Sequence, residues 1–217
     1  MATLRSPEAT RHLYHSDNGL RFLINHIGEV QIPLERDPFR MLVRSILSQQ
    51  LSSSAARTIK NRFDSLFLNG KFTARSVATL KAEKIRTAGV SLQKAQFIIS
   101  LAENVLAGRT DFKALTTMSD EEVVSILTEI RGIGRWTAQM FLIFSLGRMN
   151  IFPDNDSGVK SAMRKLYGLD KGAEIKDFLS IAEAWRPFAT AGSWYCWQGI
   201  DRGLLGSKPI SGKRETA

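Results

Sequence analysis

Residues 127–141 read LTEIRGIGRWTAQMF, and the fold turns on how this stretch is read. The run before it, MSDEEVVSILTEI, has a helical period and a capping box, with Ser119 as cap and Glu122 three residues on. Met118 is placed to staple onto Val123. After the glycines the period is helical again, with Thr137 and Ala138 in the first turns. Gly132 and Gly134 permit backbone conformations closed to other residues. The stretch therefore predicts a helix ending near Ile130, a tight glycine turn and a second helix.

Such a turn has a chemical consequence. Its amides and the N-terminus of the second helix point outward and form a backbone anion site. Arg131 and Arg135 flank it. A phosphate diester of a DNA backbone fits that site without any reading of sequence. A plain corner between two helices fits the same glycines. Two other glycine motifs do not. A dinucleotide fingerprint needs a third glycine and a preceding strand, and a P-loop needs Gly-Lys-Ser/Thr where this chain has Gly134-Arg135-Trp136.

Working outward, almost every segment reads as helix. SAARTIKNRFDSLF carries apolar residues at Ala55, Ile59, Phe63, Leu66 and Phe67. SLQKAQFIISLAENVLAG starts at a cap, Ser91, and ends at Gly108, with a buried stripe expected at Ala95, Ile98, Ala102 and Val105. The segment IKDFLSIAEAWRPFATAGSWYCWQGI contains two helices broken near Pro187. No segment gives a convincing set of alternating strands, and the final GSKPISGKRETA is polar and basic. The expectation is an all-α protein of short helices.

Composition limits the function. Lys and Arg number 30 against 21 Asp and Glu, a net charge of +9, which favours a polyanionic partner such as nucleic acid. A chain that is merely basic is the plainer alternative. The one cysteine, Cys196, excludes an internal disulfide, a multi-cysteine zinc site and an iron–sulfur cluster. Between Tyr195 and Trp197 it reads as a small buried filler. The N-terminal MATLRSPEATRHLYH lacks the apolar core of a signal peptide, and no apolar run approaches a membrane span. The expected setting is inside the cell.

Several motifs in one order then resemble a known family. IRGIGRWTAQMFLIFSLGRMNIFPDNDSGV looks like the helix-hairpin-helix and Gly-Pro-Asp signature of the DNA glycosylase superfamily. The tryptophan after the hairpin and the FPxxD segment point to the 3-methyladenine DNA glycosylase II (alkylbase DNA glycosylase) family. RSILSQQLSSSAARTIKNRF resembles that family's helix pair with a DNA-wedging loop, AGVSLQKAQFIISLAE its G-x-S-x-x-K helix, and WRPFATAGSWYCW its WRPWRSxAxxxxW helix. The likeness covers about residues 37–197. It implies two helical lobes with a base-binding cleft between them. One lobe would span about 37–155; the other would combine 1–36 with 156–205, followed by a flexible tail over 206–217. The resemblance is to the compact type, for which the β-rich N-terminal lobe of larger bacterial relatives is not expected.

The resemblance also implies roles. It puts the catalytic carboxylate at Asp156. Breaking an N-glycosidic bond builds positive charge on the sugar, which a nearby carboxylate stabilises while orienting water. Asp156 also stands where the following helix needs an N-cap, and Asp154 is its neighbouring competitor. Trp136 and Trp197 would line a pocket for the flipped base, an electron-rich wall for a cationic purine. Trp197 packed in the core is the alternative. Gln50 and Leu51 resemble the wedge that fills the vacated stack, with Gln49 supporting the loop; Leu51 packed inward at a helix-to-helix turn is the alternative. Gly132, Gly134, Arg135, Thr137 and Lys94 would contact phosphate, although Lys94 also suits a solvated helix face. The carbonyls of Thr128, Ile130 and Ile133 would hold a monovalent cation, Na+ or K+, with no other cofactor required. Trp136 stands where strand-cutting relatives carry a lysine, so the implied enzyme is monofunctional.

Three positions depart from the family pattern. Asn155 and Ser157 replace an aspartate and a leucine beside Asp156, and Ala189 replaces an arginine of the C-terminal helix. Two readings follow. One is an alkylpurine glycosylase acting as a monomer on double-stranded DNA, in a bacterial nucleoid or a eukaryotic nucleus. The other is a DNA-damage binder on the same fold without excision.

Overall fold

The computed structural model of the chain describes residues 2–206. It opens with strand β1 (Ala2–Arg5), helices α1 (Pro7–Ser16) and α2 (Asn18–Ile27), and strand β2 (Gln31–Leu34). Seven helices follow: α3 (Pro38–Ser48), α4 (Ser53–Asp64), α5 (Ala74–Ala78), α6 (Ala82–Arg86), α7 (Leu92–Leu106), α8 (Asp120–Thr128) and α9 (Arg135–Phe144). The last three are α10 (Ser157–Tyr167), α11 (Ile175–Ala182) and α12 (Ala189–Asp201). The helical reading of the sequence holds, with one addition. β1 and β2 pair antiparallel, Ala2 opposite Leu34. Ile32 and Leu34 are buried and alternate with exposed Gln31 and Pro33, a period of two too short to stand out in the sequence. Among the described residues no helix is long and apolar enough to cross a membrane. The expected tail lies outside them, apart from Gly206.

The chain forms two compact units. One comprises Glu35–Leu146, and the other the described residues of Met1–Leu34 and Gly147–Ala217. The continuous unit is built around α3, which buries Phe39, Met41, Leu42, Val43, Ile46 and Leu47 against α4, α7 and α9. Ser91 caps α7 as expected, accepting a hydrogen bond from the Lys94 amide. Ala95, Ile98 and Ala102 are buried there with Leu101, while Val105 is only half-buried. The capping box of α8 is present: the Ser119 amide donates to Glu122 Oε2, and the Glu122 amide to Ser119 Oγ. Leu66 and Phe67 lie past the end of α4 and line the turn beyond it.

The discontinuous unit packs α1, α2, α10 and α12 around Leu13, Leu20, Leu23, Met163, Leu166 and Trp185. Its polar centre is Asp17, 8% exposed. The Asp17 carboxylate accepts from the Leu20 amide and the Tyr167 hydroxyl at Oδ1 and from the Trp185 indole at Oδ2, each at 2.9 Å. Three donors offset the cost of burying that charge. Burial, with Asp17 alongside, pushes the Tyr167 hydroxyl and the Cys196 thiol well above their ordinary pKa values. Cys196 is fully buried, the small filler its neighbours suggested.

Candidate active site and nucleic-acid interface

The hairpin between α8 and α9 uses its two glycines differently. Gly132 has φ of +91°, the region that side chains rarely adopt, and a Cβ there would overlap the Phe97 side chain. Gly134 is extended, at φ −97°, and a Cβ there would meet nothing within 4 Å. Its conformation needs no glycine, contrary to the expectation from sequence. As the N-cap of α9 it carries no side chain over the helix end. The first intrahelical bond runs from the Ala138 amide to the Gly134 carbonyl, so the amides of the first turn point away from the helix's own carbonyls. Arg131 stacks its guanidinium over Phe97, 5.7 Å from the ring centre.

Several side chains expected to meet phosphate have partners within the protein. The Arg135 fork is bidentate on the exposed Glu121, at 2.8 and 3.0 Å, and holds that carboxyl below the usual carboxylate range. Thr137 is 1% exposed, and its hydroxyl accepts from the Gln49 amide at 3.0 Å. Lys94 is half-buried and directs its ammonium at main-chain carbonyls, 2.6 Å from that of Gln49 and 3.5 Å from that of Leu47. Thr137 and Lys94 are thus engaged within the protein, while Arg135, 46% exposed, lies in an ion pair at the surface.

The loop between α3 and α4 is tied to the hairpin. Gln49 Nε2 donates to the Gly132 carbonyl and to Thr137 Oγ1, both at 3.0 Å. Gln50 follows in the left-handed region, φ +58°, without being glycine. Leu51 is 38% exposed and therefore does not fill the core. Trp136 is half-buried in the first turn of α9.

The carboxylate expected from the sequence lies in the discontinuous unit. Asp156 is 8% exposed and caps α10. Its Oδ1 accepts from the Val159 amide at 2.8 Å and from the Trp197 indole N–H at 3.0 Å. N-cap and candidate catalytic group are thus one residue, and the cap fixes the carboxylate's direction. A Cβ at Gly158 would fall 3.1 Å from Asp156 Oδ1 and 3.4 Å from the Trp197 ring, so the missing side chain lets the indole approach. Asp154 is half-buried and Asn155 exposed.

Residues 43–187 match the family model of the HhH-GPD superfamily base excision DNA repair proteins. The chain belongs to that superfamily. DNA-3-methyladenine glycosylase 1 of Schizosaccharomyces pombe is 35% identical over 196 residues, covering 88% of this chain and 86% of that protein. The alkylbase DNA glycosidase-like protein mag2 of the same organism is 31% identical, covering 88% and 92%. The solved structure of S. pombe 3-methyladenine DNA glycosylase Mag1 in complex with abasic DNA superposes with a TM-score of 0.81 at 34% identity, covering 89% of this chain and 97% of that one.

Two features of this HhH-GPD chain escaped the sequence. Trp197, expected as a pocket wall or a core filler, also gives its indole N–H to Asp156. Thr190, fully buried, clamps the segment leading to Asp156: its hydroxyl donates to the Arg148 carbonyl at 2.7 Å and accepts from the Ile151 amide at 2.9 Å. It stands next to Ala189 in the chain. A threonine inside an apolar helix carries no sequence mark of such a role. The Trp197 contact joins residues far apart in the chain, beyond the reach of any local pattern.

Proposed function

We propose that this protein is a monofunctional DNA glycosylase that excises alkylated purines, of the 3-methyladenine and 7-methylguanine type, from double-stranded DNA and leaves an abasic site. The observation that supports it most is Asp156: a buried carboxylate whose direction is fixed by a main-chain amide and an indole. In the reaction the C1′–N bond breaks with its electron pair going to the base, which neutralises the positive charge of the alkylated ring. Water supplies the new C1′–O bond and releases a proton. Asp156 stabilises the cationic sugar and orients that water. Trp136 stacks on the flipped base, its π face favouring a cation by up to about 2 kcal/mol. With tryptophan and not lysine at this position, no amine is offered there for a Schiff base, so the chemistry is hydrolytic.

The duplex is gripped by the first-turn amides of α9. Arg135 joins them by exchanging Glu121 for phosphate, since an exposed ion pair is worth only about 0.2–1 kcal/mol. The carbonyls of Thr128, Ile130 and Ile133 suit a monovalent cation; that of Ile130 accepts the Ile133 amide and keeps a second lone pair. The chain acts as a monomer wherever the genome lies. A damage binder without excision is the second reading, favoured by Asn155 beside the carboxylate and Ala189 in α12. Incubation with methylated duplex separates the two. Wild type should release free 3-methyladenine, and Asp156→Asn should lose most of that release while still binding an abasic-site duplex. Equal release by the variant would move the role to Asp154; no release by wild type would favour the binder.

A further inference from the structure

The Lys94 ammonium lies where the chain leaves α3, against the carbonyls of Gln49 and Leu47. The last carbonyls of a helix have no partner within it, and a cation placed there is favourable. The last turn of α3 contains no basic residue of its own. Lys94 supplies one from α7, whose Ala95 and Ile98 are buried and whose Phe97 fills the space under Gly132. The next residue, Gln50, holds a left-handed conformation rare for a side-chain-bearing residue. Gln49 is fixed from two sides: its side chain by the hairpin and its carbonyl by Lys94. Burial lowers the Lys94 pKa from its ordinary value.

We propose that Lys94 is a positioning residue for the wedge: its ammonium clamps the end of α3, so that Gln50 and Leu51 are already set to enter the stack when a base leaves it. This rests on the glycosylase reading above and replaces a phosphate contact for Lys94. A pre-set loop pays less ordering entropy on binding DNA than a free one.

The test compares Lys94→Met, Leu51→Ala and the double variant in the full chain. Affinity for an abasic-site duplex is measured across a salt series, alongside single-turnover excision from methylated duplex. A misplaced wedge should weaken binding and slow excision on the order of tenfold. The salt slope should match wild type, and the double variant should be no worse than Leu51→Ala. A slope shallower by about 1 would mean a lost phosphate contact and overturn the proposal, as would losses that add in the double variant. If Lys94→Met does not fold, Lys94→Gln serves. It removes the charge but keeps one donor for the Gln49 carbonyl, and a changed slope overturns the proposal in the same way. If wild type excises nothing, the glycosylase reading fails while the affinity series still decides the role of Lys94. If wild type excises and the losses add, only the Lys94 inference fails.

Discussion

Asp156 accepts from the Val159 amide and from the Trp197 indole, and the two bonds are not equivalent. The Val159 amide comes with the helix, whereas the Trp197 N–H is a side-chain choice. Trp197→Phe keeps an aromatic ring and removes only the donor. A hydrogen bond to a charged group contributes about 1.5–3 kcal/mol. Single-turnover excision by Trp197→Phe should therefore fall by roughly ten- to a hundredfold, with affinity for an abasic duplex nearly unchanged. An unchanged rate would leave Trp197 with no part beyond the pocket wall or core packing expected from the sequence.

Gly132 and Gly134 look alike in the sequence, and the structure separates them. Gly132→Ala combines a left-handed backbone with overlap onto Phe97. Backbone strain of roughly 1–2 kcal/mol and overpacking of roughly 1–3 kcal/mol should together remove a large part of the stability of the unit. Gly134→Ala, extended and unobstructed, should melt close to wild type. Denaturant unfolding of the two variants checks this, and equal losses would mean that the hairpin is shaped by something other than Gly132. The same contrast shows what the sequence could yield. The hairpin, the Ser119–Glu122 box and the Ser91 cap are written within a few residues and were legible. Lys94 on Gln49, Thr190 on Ile151 and Trp197 on Asp156 join distant positions, and no period or motif records such meetings. The β1–β2 ribbon was missed for a simpler reason: two strands of four residues give too few alternations to count.

At the scale of the molecule, the net charge of +9 should draw the protein toward a polyanion such as DNA before any specific contact forms. Stability has its own pH dependence, set in the discontinuous unit. Cys196 and Tyr167 are held neutral by burial, with folded pKa values above their ordinary 9.0 and 10.0. In the unfolded chain both would ionise at those ordinary values, so above them the unfolded state binds fewer protons. The stability they contribute is complete below pH 9.0 and is lost as pH rises past 9.0 and then 10.0. Wild type should lose roughly 1.4 kcal/mol per pH unit more than Cys196→Ala once the unfolded thiol is ionised. Urea midpoints at rising pH measure this, and parallel curves would show that the thiol does not stay neutral in the fold.

The order of the two units along the chain has a consequence during synthesis. Glu35–Leu146 is uninterrupted, whereas the other unit draws on the segments before and after it. Strands β1 and β2 with helices α1 and α2 leave the ribosome before that unit, whereas α10 and α12, which complete their core, leave after it. At about 5–20 residues per second, the early segment waits on the order of ten seconds for its partners. During that wait Leu13, Leu20 and Leu23 lack their final covering, and the hairpin unit can fold first. A nascent chain stalled once Leu146 has cleared the ribosomal exit tunnel, but before α12 has done so, should thus show a protease-resistant hairpin unit beside a cleavable N-terminal segment.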